Sequence, residues 1–69
     1  MNFKLNGQEY IQMNDLLKVL ALVGTGGEAK MRILDGEAKL NGKVELAIRK
    51  KIRVGDVVSF GGEKITVEQ

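Results

Sequence analysis

The sequence predicts an α+β domain in which two packed helices lie against a small antiparallel sheet, with a short N-terminal β-hairpin before them. Apolar residues recur at helical spacing in the first half of the chain, whereas short apolar runs separated by glycine-containing turn pairs fill the second half. The chain has 69 residues, of which 43% are hydrophobic and 29% are charged. This size and composition are typical of one globular domain, which we expect to span residues 1–69.

The N-terminal segment has the pattern of a β-hairpin. Residues 3–5 alternate between apolar and polar side chains, and Asn6-Gly7 follows as a tight-turn pair. Tyr10-Ile11 has the composition of a short returning strand. We therefore expect residues 3–5 to pair with the segment around residues 10–11.

The first helix is predicted between Asp15 and Val23. Asn14 is a suitable N-cap residue, and Asp15 in the first turn favours the positive end of the helix dipole. An apolar stripe at helical spacing is formed by Leu16, Leu17, Leu20 and Val23. Gly24 is expected to end this helix.

The second helix is predicted over residues 26–34. Thr25 is placed to cap its start, and Gly36 supplies a glycine just beyond its end. Ala29 and Ile33 lie four residues apart, so they would share the buried face of the helix.

Two compact hairpins are predicted after the helices. The first joins residues 38–40 to Val44 through an Asn-Gly turn. The second joins residues 57–60 to residues 64–67 through a Gly-Gly turn. Together these segments would form the small sheet against which the helices pack.

Positive charge is concentrated in one part of the chain. The formal net charge is only +2, but residues 39–53 contain six cationic residues and one acidic residue, a net charge of +5. The densest part is the basic run, defined as Arg49, Lys50, Lys51, Ile52 and Arg53. We expect Ile52 to hold this run against the β-structure while the four charges point outward. Such a surface suits phosphate binding, because cations that displace condensed counterions give sequence-independent affinity for nucleic acid.

Other interpretations of these segments stay open. The basic run could be an exposed cationic edge that only discourages sheet aggregation. Residues 24–27 match neither the P-loop nor the dinucleotide-binding pattern, which favours a tight turn between helices over a nucleotide loop. The N–H groups at the start of the second helix could still bind one backbone phosphate, with Lys30 one turn further along.

The composition argues against several functional classes. The chain contains no cysteine and no histidine, so a disulfide framework and a zinc site are not expected. No imidazole is present to activate a hydroxyl nucleophile, and the carboxylates are scattered, so we expect neither catalysis nor a cofactor. The apolar stretch at residues 16–23 is too short to span a membrane, and the N-terminus has no signal-peptide pattern. A cytoplasmic location is therefore expected.

The aromatic residues help to choose between kinds of nucleic acid. Phe3, Tyr10 and Phe60 are the three aromatic residues, and apolar neighbours predict that all three lie in the core. Proteins that bind single strands usually stack bases on exposed rings. Without such a platform, recognition would depend on phosphates, 2′-hydroxyls and shape, which suits structured RNA.

The order of several short segments resembles the RNA-binding domain first recognised in ribosomal protein S4, over residues 9–67. The matching segments are Gly24-Thr25-Gly26-Gly27-Glu28-Ala29-Lys30, Ile33, Gly36, Leu40-Asn41-Gly42 and Lys51-Ile52-Arg53-Val54-Gly55-Asp56. Within that family, the start of the second helix and the basic run before Gly-Asp are similar to the small stand-alone bacterial YbcJ/YaaA-like group. The resemblance implies an α-L type RNA-binding fold.

The resemblance also implies which residues contact RNA. They are Lys30 on the second helix and Arg49, Lys50, Lys51 and Arg53 in the basic run, with Thr25, Gly26 and Lys43 as weaker candidates. Arg32 departs from the family, which usually has an apolar residue there. Either the second helix packs differently, or Arg32 is an additional phosphate contact. Lys30 replaces the commoner arginine and so lacks bidentate geometry.

The expected function is non-catalytic binding of structured RNA, ribosomal or tRNA-like, by a protein that is monomeric and not membrane-bound. Ribosome assembly or translation is the expected context, with possible association with the ribosome. The alternative is an adaptor that binds an acidic protein, such as a ribosome-associated factor. Binding of duplex DNA is a third hypothesis, which the 2′-hydroxyl of RNA would distinguish.

Overall fold

The computed structural model describes all residues, 1–69. Two helices and seven strands follow one another along the chain. They are β1 (Asn2–Lys4), β2 (Ile11–Gln12), α1 (Met13–Val19), α2 (Gly26–Leu34), β3 (Ala38–Leu40), β4 (Lys43–Val44), β5 (Lys51–Ile52), β6 (Val57–Phe60) and β7 (Glu63–Glu68). Neither helix has the length and apolar character needed to cross a bilayer.

The strands form two sheets. The larger sheet has five strands in the order β1-β7-β6-β3-β4, and the smaller one pairs β2 with β5. Hairpins β3–β4 and β6–β7 are antiparallel, as the turn pairs predict, with Lys39 opposite Val44 and Val58 opposite Ile65. The predicted antiparallel sheet is nevertheless mixed, because β1 adds to the edge of β7 in the parallel direction.

The predicted N-terminal hairpin is wrong. Its two halves pair with different strands, since Phe3 lies opposite Val67 in the five-stranded sheet and Ile11 lies opposite Ile52 in the two-stranded sheet. Val67 and Ile52 are both buried. Burial beside these distant partners therefore outweighs the local hairpin signal. The Asn6-Gly7 turn does form, but it connects strands that belong to separate sheets.

The first helix begins and ends earlier than the sequence predicts. It covers Met13–Val19, with Gln12 in place of Asn14 as the N-cap residue. Ala21 adopts a left-handed conformation, with φ of 58°, and its N–H donates to the carbonyl of Lys18. The N–H of Leu22 donates to the carbonyl of Leu17 at 3.0 Å. These two bonds make a Schellman ending in which alanine occupies the position that usually holds glycine.

The structure confirms the predicted second helix. It covers Gly26–Leu34, and the Thr25 hydroxyl accepts a hydrogen bond from the N–H of Glu28 at 3.1 Å. Ala29 and Ile33 are fully buried. Gly36 has φ of 83°, a left-handed conformation that favours glycine just beyond a helix.

One hydrophobic core lies between the helices and the sheets. Both helices contribute to it, as do the inner faces of β3, β5, β6 and β7. The thirteen buried residues are Leu5, Met13, Leu16, Leu17, Val23, Ala29, Ile33, Ala38, Ile52, Val58, Phe60, Ile65 and Val67. No polar or charged residue is buried, so every charged side chain reaches the surface.

Candidate nucleic-acid interface

The basic run lies on the surface and is held in place by one buried side chain. Ile52 is 0% exposed and pairs with Ile11 across the two-stranded sheet, as expected of the residue that anchors the run. Lys51 and Arg53, on either side of it, are exposed. Because successive side chains of a strand point to opposite faces, burial of Ile52 directs both neighbouring cations into solvent.

The start of α1 fixes the backbone of the basic run. No side chain caps this helix. Instead, the N–H of Met13 donates to the carbonyl of Lys50 at 2.9 Å, and the N–H of Asn14 donates to the carbonyl of Ile48 at 3.1 Å. The first N–H groups of a helix need such acceptors. Together with the pairing of Ile52 and Ile11, these bonds hold the backbone at every second residue from Ile48 to Ile52.

A turn fixes the other end of the run. The Asp56 carboxylate accepts a hydrogen bond from the N–H of Arg53 at 2.8 Å and a second one from the side-chain amide of Asn41 at 3.1 Å. Asn41 belongs to the turn between β3 and β4. The Asn-Gly and Gly-Asp turns, which are separate segments in the sequence, are therefore joined beside the basic run.

The cations of the basic run have no acidic partner within the protein. The two ion pairs in the structure both involve Arg32, with Glu28 at 3.5 Å and Glu37 at 2.9 Å. Four positive charges on a fixed backbone therefore remain available to an anion. Their mutual repulsion is relieved when a polyanion binds, which favours binding electrostatically.

Tyr10 is a residue of this surface that the sequence did not predict. Its ring was expected in the core, but it is only half-buried, and the Nζ of Lys51 and the Cζ of Arg53 lie over it at 5.0 and 5.6 Å from the ring centroid. Both distances are within cation–π range. The available signal was the position of Tyr10 directly before Ile11. Neighbouring residues of a strand face opposite sides, and Ile11 packs against the core. Of the other aromatic residues, Phe60 is buried and Phe3 packs against the core.

Arg32 takes part in packing. Its Nε donates to Glu37 at 2.9 Å, and its guanidinium lies 4.4 Å from the centroid of the Phe60 ring. The planar head of Arg32 thus covers Phe60. Both acidic partners offset its charge. A contact between Arg32 and phosphate stays a prediction. The other predicted role, altered packing of α2, is supported by the contacts of Arg32 with Phe60, Glu28 and Glu37.

The remaining candidate residues are distributed over α2 and β4. The Thr25 hydroxyl accepts the cap bond already described, and the carboxylate of Glu28 accepts from the N–H of Gly24 at 2.8 Å. The N–H of Gly26 has no acceptor within the protein. Lys18 of α1 was not predicted here, yet its Nζ lies 4.0 Å from the point where a Cβ on Gly26 would be.

Some of the predicted residues are brought together and others are not. Lys51 and Arg53 meet around Tyr10, and both belong to the same segment as the exposed Arg49 and Lys50. Lys30 is exposed on α2, and Lys43 is exposed on the edge strand β4. No hydrogen bond or ion pair joins these last two lysines to the basic run.

Comparisons with known proteins agree with this architecture. The family model of the S4 domain matches residues 3–68. "Putative RNA-binding protein YbcJ" of Escherichia coli (strain K12) is 37% identical over 65 residues, covering 94% of this chain and 93% of its own. "Uncharacterized protein YbcJ" of Shigella flexneri matches to the same extent.

A solved structure gives the same result in three dimensions. The solution structure of YbcJ from E. coli, described as revealing an αL motif involved in RNA-binding, has a TM-score of 0.75 and 35% sequence identity. The match covers 99% of this chain and 86% of that one. The α+β class, the two packed helices and the α-L arrangement predicted from the sequence are confirmed. Because the family model and a relative of this similarity each span nearly the whole chain, the protein belongs to the S4 domain family of RNA-binding folds.

Proposed function

We propose that this protein binds structured RNA, ribosomal or tRNA-like, without catalysing a reaction. The observation that carries the proposal is the basic run. Arg49, Lys50, Lys51 and Arg53 are exposed and have no acidic partner, while Ile52 between them is fully buried. Membership of the S4 domain family and the similarity to "Putative RNA-binding protein YbcJ" support RNA as the ligand. Ribosome assembly or translation is the context we propose.

The fixed backbone of the basic run favours binding. Hydrogen bonds to Lys50 and Arg53 and burial of Ile52 restrict the main chain before any ligand arrives. Ordering of a flexible loop would otherwise oppose association. The long side chains keep their freedom to follow the phosphate positions of an RNA backbone. Lys30, Lys43 and the start of α2 at Thr25 and Gly26 would extend the contact.

The number of phosphates contacted can be measured from the salt dependence of binding. If about four phosphates are neutralised, log K against log salt should have a slope of roughly −3 to −4, because each phosphate contact releases a fraction of a counterion. A slope near zero would contradict an electrostatic interface. The slope also distinguishes this proposal from binding through an apolar surface.

Charge reversal tests the location of the interface. The Lys50→Glu/Lys51→Glu variant should lose RNA binding while keeping its fold, because both side chains are exposed. The matched control is Lys39→Glu/Lys64→Glu, which makes the same change in net charge on β3 and β7, two strands of the five-stranded sheet to which β5 does not belong. Equal losses in the two variants would indicate a general effect of charge. Unchanged affinity in the folded 50/51 variant would exclude the proposed interface.

Two further experiments separate RNA from other partners. Competition between structured RNA and duplex DNA of equal length should favour RNA, because 2′-hydroxyl contacts distinguish the two. An adaptor for an acidic protein would keep its partner in a pull-down after treatment with RNase. The RNA-binding proposal expects that the captured material is lost after this treatment.

A further inference from the structure

We propose that the ring of Tyr10 and the cations beside it bind an unpaired nucleotide of the RNA. This inference rests on the proposed RNA-binding function and deepens it. A basic surface alone would hold phosphates of any regular duplex. The addition of an aromatic ring among the cations gives the same surface a means of selecting RNA that carries a bulge or a loop. We call Tyr10, Lys51 and Arg53 the Tyr10 platform.

The register of the two-stranded sheet places these side chains on one face. Ile11 lies opposite Ile52, and Gln12 lies opposite Lys51. Ile52 is fully buried, so Gln12 and Lys51, one residue away along their strands, belong to the outward face. Tyr10 is the residue on the other side of Ile11 and shares that face, as its contact with Lys51 shows.

The environment of the ring suits a nucleobase. Tyr10 is half-buried, so its position is restricted, and two cations lie over its ring. Unpaired bases of RNA are bound by stacking on aromatic rings and on arginine guanidinium planes. The platform contains one of each, Tyr10 and Arg53. Gln12, half-buried and opposite Lys51, brings a side-chain amide to the same face, where it can contact a base edge.

Entry of a base requires little rearrangement. Lys51 is exposed, and a flexible four-carbon stem carries its ammonium group over the ring. Cation–π contacts at exposed sites are weak. The ammonium can therefore leave the ring to contact the phosphate of the same nucleotide while the base stacks in its place. A base inside a regular duplex is stacked between its neighbours and is not available to the ring.

The test compares two RNAs that share a stem. One is a blunt-ended duplex, and the other is the same duplex interrupted by a short unpaired bulge. Wild-type protein should bind the bulged RNA more tightly. Tyr10→Leu, which keeps an apolar side chain but removes the flat ring, should lower affinity for the bulged RNA by about 5- to 150-fold, the range measured for loss of one base–aromatic stack. Affinity for the blunt duplex should fall much less, because contacts of exposed cations with a ring are weak, and the salt slope should not change. Tyr10→Phe should bind the bulged RNA like wild type.

Fluorescence gives a second readout at the residue itself. Tyr10 is the one tyrosine, and the chain has no tryptophan, so tyrosine emission reports on this ring alone. Stacking of a base on the ring should quench that emission when bulged RNA binds, beyond the quenching caused by the blunt duplex. Free N-acetyltyrosinamide mixed with each RNA corrects for absorption by the bases.

The possible results separate the two proposals. Equal affinity of wild type for both RNAs, or equal loss of both in the folded Tyr10→Leu variant, would overturn the Tyr10 platform and leave the basic interface standing. Absence of binding to either RNA would overturn the proposed function together with this inference. A selective loss for bulged RNA with selective quenching would support both.

Discussion

The side-chain amide of Asn41 donates a hydrogen bond to the carboxylate of Asp56 at 3.1 Å, across fifteen residues of sequence. The amide oxygen of Asn41 accepts from the N–H of Val57 at 2.9 Å, and the second carboxylate oxygen of Asp56 accepts from the N–H of Arg53 at 2.8 Å. Each polar group of the two side chains thus has a protein partner. This network links the β3–β4 turn to the end of the basic run.

Removal of the Asp56 carboxylate should loosen both turns. Asp56→Ala leaves the N–H of Arg53 and the amide of Asn41 without their acceptor. Because hydrogen bonds to a charged group are lost, we expect the free energy of unfolding to fall by about 1–3 kcal/mol. Urea denaturation measures the change. Glu63→Ala is the control, since Glu63 is exposed and its carboxylate takes part in no ion pair. Equal stability of the two variants would contradict the role given to Asp56.

Burial of Ile52 makes it the most sensitive residue of the basic run. Ile52→Ala should destabilise the protein by about 2–5 kcal/mol, because it removes buried methyl groups and leaves a cavity. Val54→Ala is the comparison, with a side chain that is 55% exposed, and should change stability by less than about 0.5 kcal/mol. Thermal and urea unfolding measure both. A small effect at Ile52 would show that the run is not anchored by this side chain.

The contacts of Arg32 distinguish its two predicted roles. Arg32→Met should keep an unbranched stem over Phe60 but lose the ion pairs with Glu28 and Glu37, at a cost of about 0.2–1 kcal/mol for partly exposed pairs. We expect RNA affinity to stay unchanged. A loss of RNA affinity, with a salt slope smaller by about one phosphate contact, would instead support the phosphate role.

The parts of the fold that depend on neighbouring residues could be predicted from the sequence. Helix α2 and the hairpins β3–β4 and β6–β7 have their caps, periodicity and turns within a few residues. The pairing of β1 with β7 and of β2 with β5 could not be predicted, because each depends on a partner far along the chain and no local signal specifies it.

The same distinction applies to the candidate site. Clustering of cations in the basic run and burial of Ile52 follow from the order of residues along one segment. The contact of Tyr10 with Lys51 follows from the β2–β5 pairing, and the hydrogen bonds that α1 makes to Ile48 and Lys50 follow from packing of the whole domain. A pattern within one segment of the sequence does not predict contacts between segments that lie far apart in the chain.

Ala21 offers a last test, of the left-handed ending of α1. At φ of 58° an alanine is strained by about 1–2 kcal/mol, and glycine is not. The unfolded chain is more flexible with glycine than with alanine, which lowers the gain in stability from the relieved strain by about 0.5–1 kcal/mol. Ala21→Gly should therefore raise the free energy of unfolding, measured in urea, by up to about 1.5 kcal/mol. Ala47→Gly is the control, because Ala47 is exposed and has no positive φ, so only the unfolded-state effect applies and stability should fall. If both variants lost the same stability, the left-handed conformation of Ala21 would carry no strain.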